Sequence, residues 1–477
     1  MIKKFFVFLT FLFLFLAFSK DILATYNPLS VPNNTYGIHI FDENDLNDAA
    51  RLVNSSGGDW GYVTFVITEG ERDRDRWQKV FDKMRRLHLI PIIRIATKAD
   101  GDTWQKPNEA EINNWVAFLN SLNWVVQNRY VIIGNEPNHA QEWGGSVSPE
   151  EYASYFVYFS KALKAASSDF FVLPAALDAS AGNIRDTMEE SIFIRRMLKT
   201  QTSFFEYADG WASHSYPNPD FSGSEFDRGK GTTSTFSWEL YFLETLGVTK
   251  ELPVFITETG WSHKVSDEEI AKRLAYAFKN TWIDKRIVAV TPFILNYTAP
   301  PFDDFSWKKA DGSFYSFYDS ILKLPKIKGE PRQDVKGRIL GVFINPLQIV
   351  GSSFAGAILA QNLGQSIWSS AEISLGDESV TIPLRIKDFQ GVEPQKLTLL
   401  TFEGRTPSKA GTYKIPFVLQ SKSKNISDSY PYEIAVIEKP EEKKVGSFVK
   451  LTSVLISDIR SFWYGLKLNL VPKLPMW

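Results

Sequence analysis

From residue 36 onward, short apolar runs alternate with stretches in which apolar residues recur at helical spacing. The runs at 36–41, 62–67, 90–95, 130–134, 170–175, 210–214, 254–257 and 288–295 have the length and composition of buried strands. Between them lie amphipathic stretches. At 73–87, Trp77, Val80, Phe81 and Met84 share one face, and 149–166 opens with Ser148 as N-cap and Glu151 three residues on, the frame of a capping box. Eight such strand–helix units in roughly 290 residues predict an α/β fold, a (β/α)8 TIM barrel. An open doubly wound sheet is the alternative, but even spacing and the lack of a Gly-x-Gly-x-x-Gly turn favour closure.

The pattern changes near residue 326. A stretch rich in Pro, Gly and charge predicts a linker over 326–334. Seven short β-type runs follow, at 340–344, 356–360, 366–375, 380–386, 396–401, 412–419 and 432–437, separated by Gly, Ser and Asn. They predict a small all-β sandwich over 335–438. The remaining residues, 439–477, carry a charged run and then a tail in which Val445, Phe448, Val449, Thr452, Leu455, Ile456 and Ile459 recur at helical spacing. Such a C-terminal amphipathic helix would either lie in a membrane or cell-envelope interface or pack on the protein's own surface. At the other end, Lys3 and Lys4, an apolar run at 5–18 and Ile22-Leu23-Ala24 read as a signal peptide over 1–24, with an uncleaved anchor as the alternative. Either way the domain at 25–325 is expected outside the cytoplasm, secreted or at the cell surface.

Composition narrows the chemistry. A formal charge of −2 gives no electrostatic reason for a nucleic-acid partner. The chain has no cysteine, which excludes disulfides, thiolate metal sites and cysteine nucleophiles. Five histidines include no His-x-x-x-His frame, and no metal or cofactor is called for.

Two of the strand-like runs end in a glutamate followed by turn residues: Ile133-Gly134-Asn135-Glu136-Pro137 and Ile256-Thr257-Glu258-Thr259-Gly260-Trp261. Carboxylates at the C-terminal ends of parallel strands lie where barrel enzymes keep their chemistry, and a pair of them suits hydrolysis of a glycosidic bond. With strands four and seven carrying the glutamates, the segment 36–325 resembles clan A of the glycoside hydrolases, the retaining barrels that include cellulases, mannanases and β-xylosidases. The resemblance implies Glu136 as acid/base and Glu258 as nucleophile. It also implies Asn135 on the sugar 2-hydroxyl, His214 and Tyr216 beside the nucleophile, and Arg94 near the same carboxylate. Trp104, Trp143, Trp261 and Trp307 follow strands, where indole faces could stack on sugar rings. Strand eight ends Phe293-Ile294-Leu295-Asn296-Tyr297, without the tryptophan many clan members carry there, and Trp307 is expected to take its place. His39 would either touch sugar or sit satisfied in the core. Farther along, Asn362-Leu363-Gly364 and Trp368 resemble a signature of some bacterial immunoglobulin-like modules. The expected function is a secreted retaining glycosidase acting on a β-linked oligo- or polysaccharide. The alternative is an inactive polysaccharide-binding or structural surface protein on the same barrel.

Overall fold

A computed structural model of the chain describes residues 25–377 and 382–439. The leader at 1–24, the start of the run at 380–386 and the tail from residue 440 lie outside the described residues. The chain divides into two compact units between Asp334 and Val335.

In the first unit eight strands recur with helices between them: β1 Gly37–His39, β2 Gly61–Thr68, β3 Leu89–Ala96, β4 Arg129–Ile133, β5 Phe170–Pro174, β6 Trp211–His214, β7 Val254–Glu258 and β8 Ile287–Val290. β1 to β5 form one parallel sheet in chain order, and β6 to β8 form another. Parallel bridges Tyr36–Val290 and Asp178–His214 link the sheets at both edges, giving a barrel-type arrangement. The strands are nearly continuous apolar runs because both faces are covered. Tyr62 and Tyr130, on β2 and β4, have ring centroids 6.2 Å apart, and Tyr130 and Phe255, on β4 and β7, are 5.3 Å apart. Such contacts between strands that are not neighbours place these rings inside, as a packed aromatic plug below the site.

Local sequence explains where elements stop. The run expected to continue to 295 leaves β8 at Val290, because Pro292 has no N–H for the ladder. Helix Arg74–Arg86 starts at Asp73, whose carboxylate accepts from Asp75 N and Arg76 N. Helix Pro149–Ala166 begins as expected, yet the Ser148 side chain makes no capping bond. Pro149 occupies the first turn, and Glu151 pairs instead with Lys106 Nζ at 2.5 Å. The stretch 326–334, expected to run as a linker, is fastened along the first unit. Gly329 N–H donates to Asp59 O (2.9 Å), Glu330 N–H to Pro32 O (2.8 Å) and Gln333 Nε2 to Val125 O (2.8 Å). Lys326 is buried there, its ammonium on Ser55 Oγ and the carbonyls of Ile321 and Leu324, and burial pulls its pKa down to about 8.

The second unit is β-rich. One sheet runs β9 Gly337–Ile344, β11 Ser353–Asn362, β14 Leu397–Arg405, β13 Leu384–Ile386. The other runs β10 Leu347–Ile349, β16 Tyr430–Ile437, β15 Gly411–Ser421, β12 Ile373–Asp377. Ile358, Leu400 and Phe402 from the first and Ile415, Phe417 and Ile434 from the second share one apolar core. The run expected at 366–375 becomes a strand only from Ile373. Before it, the buried Asn362 side chain donates to Ser366 O and Val392 O and accepts from Gly364 N, folding 362–366 into a turn under the fully buried Trp368. Among the described residues no helix is long and apolar enough to cross a membrane.

Candidate active site

Glu258 is the last residue of β7, and Arg94 sits near the end of β3 across the barrel mouth. Arg94 Nη1 donates to Glu258 Oε1 at 2.7 Å and Tyr216 Oη donates to Oε2 at 3.0 Å. The ladder between β6 and β7 slips between Ser213 and His214, so that His214 pairs with Glu258. Bulges of this kind re-aim a side chain. Here His214 Nδ1 lies 2.6 Å from Glu136 Oε1 and Nε2 lies 3.8 Å from Glu258 Oε1. One imidazole therefore touches both glutamates.

Glu136 reaches that ring through an unusual backbone. Gly134 has φ 92° and Glu136 has φ 30°, with Glu136 N–H held by Ala176 O at 3.1 Å. A positive φ is open to glycine but strained at glutamate, and such strain gathers where surrounding structure over-determines a functional group. Between them, Asn135 Oδ1 accepts from Arg94 Nη1.

The charges are set by neighbours. Burial opposes ionisation of Glu258, but the fields of His214 and Arg94 and the Tyr216 hydrogen bond outweigh it and hold the carboxyl below its ordinary range. Burial also works against a charged His214, and Glu258 and Glu136 overcome it, so its pKa is raised. His39, 3.9 Å from Glu258, is different. Burial dominates and pushes it down to about 3, so it stands neutral, with no hydrogen-bond partner on either ring nitrogen, edge-on to Phe293 at 5.1 Å. The phenol of Tyr216 is pushed well up, first by burial and then by the two glutamates.

The structure thus brings Glu136, Glu258, Arg94, Asn135, His214 and Tyr216 together. It does not bring the tryptophans. Trp261 is 3% exposed, with Nε1 committed to Gly223 O at 2.8 Å. Trp307 is also 3% exposed and packs edge-on to Phe317 at 5.2 Å. Trp143 is buried as well, and only Trp104, in a short hairpin after β3, stays half-exposed. An indole one turn beyond a strand is as well suited to sealing the barrel's helices as to meeting ligand. Phenylalanines stand near the nucleophile instead: Phe221 and Phe305 lie against Tyr216 at 5.0 and 5.9 Å, and Phe293 joins Phe305 at 6.0 Å. From Phe221 a groove of about 800 Å³ extends between the loops after β5 and β6, lined by Ser180, Asn218, Asp227 and Lys230.

No protein-family model and no curated protein matches this chain. Solved structures similar to it include a GH128 (subgroup II) endo-β-1,3-glucanase from Sorangium cellulosum, with 16% identity over 61% of this chain and 98% of that chain and a TM-score of 0.41. A glucosidase from Croceicoccus marinus has 11% identity over 86% of this chain and 94% of that chain, with a TM-score of 0.46. AbfB, a family 51 α-L-arabinofuranosidase from Bifidobacterium longum, has 13% identity over 81% and 96%, with a TM-score of 0.40. Likeness at this level assigns neither family nor substrate, and the chemistry has to be judged from the side chains.

Sequence reasoning took His139 as a loop residue and passed over two further polar groups here, Asp178 and Glu142. His139 Nε2 meets Asp178 Oδ2 at 2.8 Å beside Glu136. Burial disfavours the Asp178 charge, but hydrogen bonds from His139 and Ser180 prevail and lower its pKa. A signal for Asp178 was present, since the apolar run from Phe170 ends in a carboxylate just as those before Glu136 and Glu258 do. The third is Glu142, at the end of the 3-10 turn Ala140–Glu142, which lines a small cavity together with Asn135. Nothing in its polar loop distinguishes it from a solvated surface glutamate. Among the described residues no group of three or more His, Asp or Glu side chains is arranged to hold a metal ion.

Proposed function

We propose that the first unit is a retaining glycoside hydrolase on a complete (β/α)8 barrel, exported from the cell and acting on β-linked glycans, with the β-rich unit as an immunoglobulin-like accessory domain. The observation that carries this is one imidazole shared by two strand-end glutamates, of which Glu258 alone is gripped by a guanidinium and a phenol. A carboxylate kept charged in a buried site is the nucleophile such chemistry needs, and its partner is free to trade a proton.

In the first step Glu258 Oε attacks the anomeric carbon and the glycosidic C–O bond breaks. The proton shared across the 2.6 Å Glu136–His214 contact goes to the leaving oxygen. In the second, Glu136 takes a proton from water as the water oxygen attacks the same carbon and the bond to Glu258 breaks. Two inversions leave the configuration retained. Arg94 and Tyr216 stabilise the carboxylate before attack and again as it departs. Asn135 is assigned to the sugar 2-hydroxyl. The buried Trp261 and Trp307 are assigned to the barrel's packing, with Phe293 and Phe305 walling the reacting sugar.

The test is a panel of aryl glycosides and polysaccharides. Glu258→Gln is expected to lose turnover by at least about 10⁴-fold on every substrate, as removal of a nucleophile does. Azide is expected to rescue Glu136→Ala with retained configuration and Glu258→Ala with inverted configuration. An inverted natural product would overturn the retaining assignment. Glycan binding with no turnover on the whole panel would favour the binding-protein alternative.

A further inference from the structure

The aromatic rings on one rim of the barrel mouth are not all spent on packing. His39, 3.9 Å from Glu258, meets Phe293 edge-on at 5.1 Å, and from Phe293 a row of rings leads outward. Phe293 lies 5.5 Å from Phe302, Phe302 lies 5.5 Å from Tyr297, and Tyr297 lies 5.0 Å from Phe41, each pair edge to face. The row starts at the site and ends in solvent: Phe302 is 45% exposed and Phe41 is 69% exposed. Scattered exposed rings need no explanation, but a contiguous row that begins beside a buried carboxylate marks a surface kept for a ligand.

The backbone holds these rings in place. Before Phe41, Ile40 N–H donates to Thr64 O at 2.9 Å, and after it Asp42 caps the 3-10 turn Glu43–Asp45. The loop after β8 is stitched to itself: Ile294 N–H donates to Phe305 O (3.2 Å), Trp307 N–H to Ile294 O (3.0 Å) and Tyr297 N–H to Ser306 Oγ (3.1 Å). Rings fixed in this way lose little freedom when a ligand covers them. A pyranose has a C–H face that stacks on an aromatic ring and a rim of hydroxyls, and the exposed Asp42 and Asn44 that follow Phe41 offer polar partners for that rim.

We propose that Phe293, Phe302, Tyr297 and Phe41 form a stacking track for the sugar units that adjoin the reacting one, so that the site takes a glycan chain rather than a lone terminal sugar. The proposal rests on the hydrolase reading above. Continuity commits the row to this occupant: Phe293 walls the reacting sugar, and each further ring touches the one before it. A membrane surface would meet Phe41 and Phe302 but gain nothing from a row that continues inward to His39.

Three variants test it on the full chain: Phe41→Ala, Phe302→Ala and, as a control, Tyr241→Ala, whose exposed ring lies outside the row on helix Thr235–Thr245. The substrates are cello-, manno- and laminari-oligosaccharides up to the hexasaccharide, with the matching aryl monoglycoside as the short reference. In the series that the parent cuts, kcat/KM is expected to rise with chain length. In Phe41→Ala and Phe302→Ala the ratio of kcat/KM on the hexasaccharide to that on the aryl glycoside is expected to fall about 10-fold, the scale of one lost ring contact. Tyr241→Ala is expected to keep the parent ratio. A ratio unchanged in both row variants would overturn the proposal. Titration calorimetry on the Glu258→Gln chain gives a reading that needs no turnover, and adding Phe41→Ala is expected to weaken hexasaccharide binding about 10-fold. Equal affinity, or no binding of any hexasaccharide, refutes the track even where the parent hydrolyses aryl glycosides. Weakened affinity with no turnover in the parent upholds the track and counts against the hydrolase reading. Loss of binding to phosphatidylglycerol vesicles in Phe41→Ala, with glycan affinity intact, would give the rings to a membrane surface instead.

Discussion

The barrel holds two pairs of glutamates withdrawn from water, and they invite comparison. Glu136 and Glu258 lie at strand ends in the mouth. Glu190, opening helix Glu190–Thr200, and Glu239, in helix Thr235–Thr245, lie together behind β6 with both side chains fully buried. Burial raises the pKa of Glu190, and the neighbouring Glu239 raises it further. Burial raises Glu239 as well, against the pull of Glu190, Ser213, Trp211 and the charge of His214. Neither group has an ion pair with a cation among the described residues; Lys230, whose field reaches Glu239, is held by Glu189 and over the ring of Trp238. Glu258 is nearly as buried at 8% exposure, yet its pKa falls. Burial alone does not decide whether a carboxyl is charged here. A guanidinium in direct contact and an imidazole 3.8 Å away pull it down, and a pair left without them has its pKa raised.

The largest expected effect comes from making the first pair resemble the second. Arg94→Ala is expected to reduce kcat/KM by about 10²–10³-fold, the scale for removing a fixed charge partner in a closed site. The acid limb of its pH–activity profile should move to higher pH, since Glu258 loses the charge that keeps its carboxyl low. A limb that stays in place would mean that Arg94 does not set the charge. His214→Gln should cost less, about 10²-fold, because Arg94 and Tyr216 still hold Glu258 while the proton shared with Glu136 is lost. Solvent isotope effects on kcat would show whether proton delivery has become limiting.

The smallest effect sharpens the comparison from the other side. A carboxyl raised in the folded state stabilises fully below its unfolded value, about 4.5, and that contribution disappears as pH rises through the folded value. The melting temperature of the parent is therefore expected to fall from about pH 5 to pH 8. Glu239→Gln, which stays neutral and keeps the shape, should flatten that slope and melt about 2–4 °C higher than the parent at pH 8. Parallel melting curves across the range would show that the second pair is not protonated.

That the side chains of the candidate site lie together was legible because they sit on or just after strands. Glu258 and His214 end their strands, Arg94 lies two residues before the end of β3 and Glu136 three beyond β4, so apolar runs in the sequence mark the position of all four. What depends on loops was not. Trp261 and Trp307 were read as sugar platforms since they follow strands, but whether an indole turns inward is fixed by partners such as Gly223 and Phe317, 38 residues before the one and ten after the other. Glu142 acquires its place from a 3-10 turn pinned to Glu136 through His139, a tertiary arrangement with no periodicity to betray it. The end of β8 was misjudged for a smaller reason: Pro292 has the hydrophobicity of a strand residue without its hydrogen-bond donor.

The strap at 326–333 bears on how the unit assembles. Its partners are Pro32, Asp59, Val125 and Gln127, drawn from the first part of the unit, while Asn33 Nδ2 reaches Val288 O at 2.7 Å and Tyr36 bridges to Val290. The earliest and latest segments of the unit are thus sewn together by contacts separated by hundreds of residues. Contacts of that sequence separation slow folding, since long loops must close before they are rewarded. On the ribosome the barrel cannot lock until residue 333 has emerged, and a chain cut at residue 328 would lack its last stitches. A chain ending at Asp334 should melt at a higher temperature and fold to higher yield than one ending at Lys328, although the two differ by only six residues and share every strand.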